Sequence, residues 1–112
     1  MQELNYKKVS DKSVVGCYKL WHRSLIDFYA WLQKIPNIAE IQRILAATGK
    51  KEFEDIVSIT NLISYIDMNW VFCFTFKIND TTTIGFDLNK WMLILMGSEA
   101  DVADLAVKLE NL

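Results

Sequence analysis

The chain has 112 residues, a hydrophobic share of 52%, a charged share of 23% and a net charge of −2. These values are typical of a globular domain and exclude an intrinsically disordered chain. The longest uninterrupted apolar run, Trp91 to Met96, is far too short to cross a membrane, and no secretion signal precedes the domain, so we expect a cytoplasmic location. The length predicts one α+β domain over residues 1–112, with a polar segment at 1–11 that is extended or frayed.

The two halves of the chain carry opposite charge. Residues 1–51 hold nine basic and four acidic residues, a net of +5, whereas residues 52–112 hold three basic and ten acidic residues, a net of −7. Either the two halves pack together and neutralise each other, or one of them forms a charged interaction surface.

The first predicted element is a long helix. Apolar residues between Val14 and Ile35 recur at steps of three and four, which predicts an amphipathic helix that Ser13 caps and Pro36 ends. The members of this stripe are Val14, Tyr18, Trp21, Leu25, Phe28, Leu32 and Ile35. Trp and Tyr fill its seam, which favours a core helix over a coiled coil.

Two further helical segments are predicted before the sheet. Asn37 followed by Glu40 forms a capping box that begins a second helix, and Gly49 suits its C-terminal cap. Residues 52–63 have helical spacing, but their neighbourhood is rich in β-branched residues. We therefore predict a helix over 52–63 and keep a strand over 62–67 as the alternative.

The strongest pattern in the chain is a strand from Trp70 to Ile78, in which apolar and other residues alternate. A turn at residues 79–80 and a second alternating run over 81–88 predict a β-hairpin. The third strand, Trp91 to Met96, is apolar on both faces, which predicts cover on both. The predicted core face of the hairpin consists of Trp70, Phe72, Phe74, Phe76, Phe86 and Leu88.

A final helix is predicted after Gly97. Ser98 serves as its N-cap with Asp101 at the third position, and apolar residues follow at steps of three and four. The complete prediction is an α+β fold with N-terminal helices, a three- or four-stranded antiparallel meander and a C-terminal helix.

The sequence contains no pattern typical of catalysis or of metal binding. Its single histidine, His22, lies five residues after Cys17, and on a helix the two side chains would diverge by about 140°. Cys73 is distant from both, and free thiols are expected. We predict no cofactor, no metal and no enzymatic activity. An enzyme with an acidic site near residues 52–55 is the weaker alternative, since acids at a helix start have a structural role.

Nucleic-acid binding is the second functional hypothesis, and it depends on the basic first half of the chain. Basic residues interleaved with aromatics can contact phosphates and stack on bases. The residues concerned are Lys7, Lys8, Lys12, Lys19 and Arg23, with Tyr6, Tyr18 and Trp21. The calculated pI of 5.3 argues against duplex binding.

Protein binding is the leading hypothesis. A small chain without a catalytic pattern and with an acidic second half has the profile of small intracellular inhibitors such as immunity proteins, an analogy of class alone. We expect it to block or modulate a partner protein that has a basic surface, and a homodimer is a further option; no membrane partner is expected. The predicted partner-binding residues are Glu52, Glu54, Asp55, Trp91, Asp101 and Asp104.

Overall fold

The computed structural model describes residues 1–35 and 58–112, together with the backbone of residues 43–45. Within these ranges the fold is α+β, with one antiparallel sheet of six strands in the order β1-β2-β6-β5-β4-β3. The strands are β1 (Gln2–Ser10), β2 (Ser13–Lys19), β3 (Arg43–Leu45), β4 (Cys73–Lys77), β5 (Thr83–Asp87) and β6 (Met92–Gly97). The helices are α1 (Leu25–Leu32), α2 (Ile59–Asn69) and α3 (Glu99–Glu110).

The N-terminal half of the predicted first helix is wrong, because the chain begins with a β-hairpin. β1 pairs with β2, and β2 pairs in turn with β6. Burial along β2 alternates strictly, with Val14, Gly16 and Tyr18 facing the core, so the strand has period two. Gly16 obscured this pattern, since it has no side chain to count as apolar. A Cβ at Gly16 would lie only 2.7 Å from the Tyr18 hydroxyl oxygen, so this position requires the glycine.

Helix α1 is therefore much shorter than predicted. Ser24, and not Ser13, is its N-cap, and its hydroxyl accepts a hydrogen bond from the Asp27 amide at 3.2 Å. The helix ends at Leu32, one turn before the fully buried Ile35.

The second predicted helix is contradicted where the structure describes it. Arg43–Leu45 form the strand β3, which extends the sheet by pairing with the edge of β4. The sheet edge supplies backbone partners that helical spacing alone does not reveal. The proposed caps Asn37, Glu40 and Gly49 lie outside the described residues.

Helix α2 decides between the two predictions for the middle of the chain. Only the last part of the predicted helix over 52–63 lies in the described residues; there the chain is helical, and the helix continues to Asn69. The strand alternative over 62–67 is wrong. Ser58 caps the helix, and Ile59, Leu62 and Ile66 are buried on one face, so capping and packing outweigh the β-branched composition.

The C-terminal meander and last helix are confirmed. Strands β4, β5 and β6 are consecutive and antiparallel, and Phe86 lies between Phe74 and Leu93 in the register. The Ser98 hydroxyl accepts a hydrogen bond from the Asp101 amide at 3.2 Å at the start of α3. The order of elements and the number of strands differ from the prediction, because β1, β2 and β3 add three strands before the meander.

The helices cover one face of the sheet. Buried residues of α1, α2 and α3 belong to one core together with the inward residues of the strands, including Phe74, Phe76, Phe86 and Leu88 as predicted. Phe72 is half-buried against this core, whereas Trp70 is exposed, which contradicts its predicted place in the core.

On the opposite sheet face, residues such as Ile94 are only half-buried and Met96 is exposed. The predicted cover on both faces of β6 is therefore wrong for the described residues. Within the described ranges, no helix is both long enough and apolar enough to cross a membrane.

Candidate functional site

Two tryptophans of the described chain have a backbone conformation that side chains rarely adopt. Trp70 has a φ of 55° and Trp91 a φ of 52°, both in the left-handed region that favours glycine. For a residue with a Cβ this conformation costs about 1–2 kcal/mol. Such positions occur frequently at functional sites, so each tryptophan needs an explanation from its surroundings.

The surroundings of Trp91 explain its backbone. The residue lies in the turn between β5 and β6, and its carbonyl accepts a hydrogen bond from the Leu20 amide at 2.8 Å. Its half-buried ring lies 6.1 Å from the Phe28 ring and 6.4 Å from the His22 ring, measured between centroids. Trp91, which the sequence proposed as a partner-binding residue, therefore packs mainly against the core of its own chain.

The surroundings of Trp70 do not explain its backbone in the same way. Trp70 is the C-cap of α2, where its amide donates to the Ile66 carbonyl at 2.9 Å. Its ring makes an edge contact with Phe72 at 6.1 Å, yet 77% of the residue is exposed. A glycine would make the same amide hydrogen bond without the backbone strain.

Exposed apolar side chains accompany Trp70, and we call this region the Trp70 surface. Met68, two residues earlier, is 78% exposed, and Ile26 on α1 is 79% exposed. Between α1 and the end of α2 lies a shallow groove of about 50 Å³, too small for a cofactor or a drug-sized ligand. The groove is lined by Leu25, Tyr29, Ile66, Asp67, Trp70 and Phe72. Ile26 lies three residues before Tyr29, so the two are neighbours on the α1 surface.

Two polar groups border the Trp70 surface. Burial, and secondly the charge of Asp67, raise the pKa of the Tyr29 hydroxyl, which therefore stays protonated. That hydroxyl has no hydrogen-bond partner among the described residues, and the exposed Asp67 forms no ion pair with any of them. The Trp70 surface thus offers one hydrogen-bond donor and one negative charge beside its apolar area.

A second feature is the aromatic cluster around His22, whose exposed fraction is only 9%. Its ring stacks on Trp21 at 4.8 Å and lies 4.9 Å from Trp31 and 5.5 Å from Phe28. Neither ring nitrogen has a hydrogen-bond partner among the described residues. Burial lowers the pKa of His22, and the nearby Asp27 opposes this shift only in part. His22 is therefore a neutral, buried ring at neutral pH.

An open cavity of about 380 Å³ lies beside this cluster. Trp21, which is 46% exposed, lines it together with Arg23 and Lys34, and neither cation forms an ion pair within the described part of the chain. The cavity therefore combines an aromatic ring with two positive charges.

The structure places the predicted acidic residues apart from the Trp70 surface along the chain. Asp101 and Asp104 are exposed on α3, where Asp101 lies in the first turn and Asp104 pairs with Lys108 at 3.0 Å. Glu52, Glu54 and Asp55 lie outside the described residues.

The predicted basic residues do not share one surface. Lys7 lies opposite the outward residue Val15, whereas Lys8 lies opposite the buried Val14 and therefore faces the other side of the sheet. Lys19 donates to the Lys90 carbonyl at 2.7 Å.

The described residues do not supply a metal site. Among them, no group of three or more His, Cys, Asp or Glu side chains could hold an ion. Cys17 and Cys73 are free and half-buried, and burial, followed by the charge of Asp87, raises the pKa of the Cys73 thiol. A raised thiol pKa disfavours the nucleophilic thiolate.

No protein-family model, no curated protein and no solved structure matches this chain.

Sequence reasoning missed the role of Trp70 because the alternating pattern of β4 extends back through it. A signal was nevertheless present. The helical spacing of Ile59, Leu62 and Ile66 runs almost directly into the strand pattern, so a residue that ends the helix has to lie between them. Trp70 occupies that position although glycine or asparagine is the usual choice.

Proposed function

We propose that the protein is a binding domain that recognises another protein through the Trp70 surface. The observation that carries the proposal is the exposed Trp70 ring on a left-handed backbone, beside the exposed Met68 and Ile26. Covering a partner surface in this way would block or modulate the partner, as small inhibitor and immunity proteins do.

Energetics support a binding role for Trp70. Its backbone costs about 1–2 kcal/mol relative to glycine, and an exposed indole recovers little of this through burial. A residue that breaks a local rule without stabilising the fold is expected at functional sites. Tryptophan is also among the residues that dominate protein interfaces when a partner buries it.

The Trp70 surface also defines the chemistry of the partner. The apolar area of Trp70, Met68 and Ile26 requires an apolar patch, because burial of such area supplies most of the binding energy. Asp67 at the border calls for a Lys or Arg of the partner, and the Tyr29 hydroxyl calls for an acceptor. Charge pairs at the border set association rate and register more than affinity.

The acidic second half of the chain has a secondary part in this proposal. Its net charge of −7 would attract a partner with a basic surface, and Asp101 and Asp104 are exposed to take part in this attraction. Their contribution is to the rate of encounter, since exposed ion pairs add little stability.

The test compares two tryptophan variants of the tagged full-length protein in cells that express it. Trp70→Gly removes the exposed ring and relieves the backbone, whereas Trp21→Ala removes a half-exposed tryptophan elsewhere and serves as the matched control. We expect Trp70→Gly to lose capture of the partner, with affinity reduced roughly 30-fold or more, because a hot-spot tryptophan contributes at least about 2 kcal/mol. The control should capture it as the wild type does. Equal capture by both variants would refute the proposal.

A second candidate function is binding of single-stranded nucleic acid at the cavity beside His22. The specific observation is the half-exposed Trp21 next to Arg23 and Lys34, since a base can stack on the ring while the cations meet phosphates. Titration with an oligothymidylate should then quench tryptophan fluorescence in Trp70→Gly but not in Trp21→Ala, and added salt should weaken the effect. Absence of quenching in the wild type would exclude this candidate.

A further inference from the structure

Strand β1 is a long and exposed sheet edge. All nine of its residues are exposed, and within the described part of the chain β1 pairs with β2 on one side only. An edge strand presents unpaired backbone donors and acceptors to any second strand. The question is whether the side chains of β1 select one partner strand.

The faces of β1 follow from its register with β2. Glu3, Tyr6 and Lys8 lie opposite the buried Tyr18, Gly16 and Val14, so they share the face of the sheet that the helices cover. The other face carries Gln2, Asn5 and Lys7, which lie opposite Lys19, Cys17 and Val15. Leu4 and Val9 fall at the two irregularities of the register and have no opposite residue.

The electrostatics agree with this assignment. Burial, then the charges of Glu99 and Glu3, raise the pKa of the Tyr6 hydroxyl, so the Glu3 carboxylate lies on the same side as Tyr6.

These faces make β1 complementary to itself. When two copies of β1 are placed antiparallel about a two-fold axis at Tyr6, Glu3 of each copy lies opposite Lys8 of the other, on the same face. Asn5 then lies opposite Lys7, and Gln2 lies opposite Ser10. Both ends of the strand are matched, and the two bulged residues are left out of the register on both sides. Opposite charges directly across a strand pair are stabilising.

Neighbouring registers lack this match. A two-fold axis at Asn5 would place Glu3 opposite Tyr6, so the charges would lose their partners. An axis at Lys7 would place Lys7 opposite itself, and like charges across a strand pair are destabilising. Lysines and bulges on an edge also disfavour pairing with unrelated strands. The arrangement is therefore selective.

We infer that β1 binds β1 of a second copy of this chain, antiparallel about Tyr6, with reciprocal Glu3–Lys8 ion pairs. The two six-stranded sheets would join into one. A single strand pair buries an area at the low end of specific interfaces, so the dimer should be weak and dependent on concentration, with a dissociation constant of micromolar order. This interface is separate from the Trp70 surface on α2.

The experiment is sedimentation velocity of the full chain over a range of concentrations that spans the micromolar region. The wild type should shift from monomer to dimer as concentration rises. Glu3→Lys alone and Lys8→Glu alone should each shift the midpoint at least tenfold higher, because each creates two like-charge contacts. The double variant, Glu3→Lys with Lys8→Glu, should dimerise as the wild type does. A mixture of the two single variants should form a heterodimer.

Two controls separate this interface from nonspecific charge effects. Lys12→Glu makes the same charge change in the turn after β1, outside the register, and should leave dimerisation unchanged. Trp70→Gly should also dimerise normally, so failure of the proposed function and failure of this inference are distinguishable. Circular dichroism confirms that each variant is folded. A wild type that stays monomeric at all concentrations, or a dimer that both single variants leave intact, would overturn the inference.

Discussion

Trp70 and Trp91 have nearly the same left-handed backbone, but their surroundings differ. The ring of Trp91 packs against Phe28 and His22 at the edge of the core, whereas the ring of Trp70 contacts Phe72 by one edge and is otherwise exposed. The strain at Trp91 is therefore offset by packing within the chain. The strain at Trp70 has no equal compensation among the described residues, which is why we assign it to partner binding.

The largest expected effect concerns the core beneath Trp91. Phe28 is fully buried and lies 5.2 Å from Phe86 and 5.5 Å from His22. Phe28→Ala should lower the free energy of unfolding by roughly 3–5 kcal/mol, because it removes a buried ring and leaves a cavity. Chemical denaturation measures this value. A loss below about 1 kcal/mol would show that the cluster around His22 is loosely packed.

Trp91→Gly should have the next largest effect. Loss of a packed tryptophan costs about 3 kcal/mol at the low end, and relief of the left-handed backbone returns about 1 kcal/mol. The variant should therefore be about 2 kcal/mol less stable than the wild type in denaturant unfolding. Unchanged stability would remove the distinction between the two tryptophans.

The pH dependence of stability tests the environment that Trp91 shares with His22. Since burial lowers the pKa of His22 in the folded state, the unfolded chain takes up its proton first. This contribution to stability is complete above the ordinary histidine value of 6.5 and is lost as pH falls from 6.5 towards the lowered value.

His22 is the single histidine of the sequence, so His22→Phe should flatten the curve in that pH window. Unfolding free energies of both proteins at a series of pH values between neutrality and the carboxylate range provide the measurement. Identical slopes in the two proteins would contradict the assignment.

The smallest expected effect is at Trp70. Trp70→Gly should leave the free energy of unfolding within about 1 kcal/mol of the wild type, since relief of backbone strain opposes the loss of the Phe72 contact. The same denaturation series that includes Trp91→Gly measures it. A loss as large as that of Trp91→Gly would mean that Trp70 is a structural residue.

The C-terminal part of the fold could be predicted from the sequence, whereas the N-terminal part could not. The alternation through Phe74, Phe76 and Phe86 and the cap at Ser98 are local signals that agree with the tertiary structure. In β2, the spacing of Val14, Tyr18 and Trp21 satisfied a helical pattern by coincidence, and Gly16 obscured the true period. The position of β1 at the sheet edge depends on pairing with β2, so composition alone described it as a polar, extended or frayed segment.

The candidate site was predictable only in kind. Acidic composition and the lack of a catalytic pattern led to a protein-binding hypothesis, but not to its surface. Trp70 was assigned to the core because strand alternation does not show where the preceding helix ends. Exposure of Ile26 and Met68 depends on how α1 and α2 pack, which no local pattern specifies.

Site-specific photo-crosslinking from position 70 tests the central claim most directly. The photoreactive residue p-benzoylphenylalanine replaces Trp70 in one protein and Lys90, an exposed neighbour of Trp91, in a matched control. Irradiation of cells that express each protein is followed by purification and mass spectrometry. We predict a specific crosslinked partner protein from position 70 that is absent from position 90. The same crosslinked species from both positions, or no crosslink from position 70, would contradict the account.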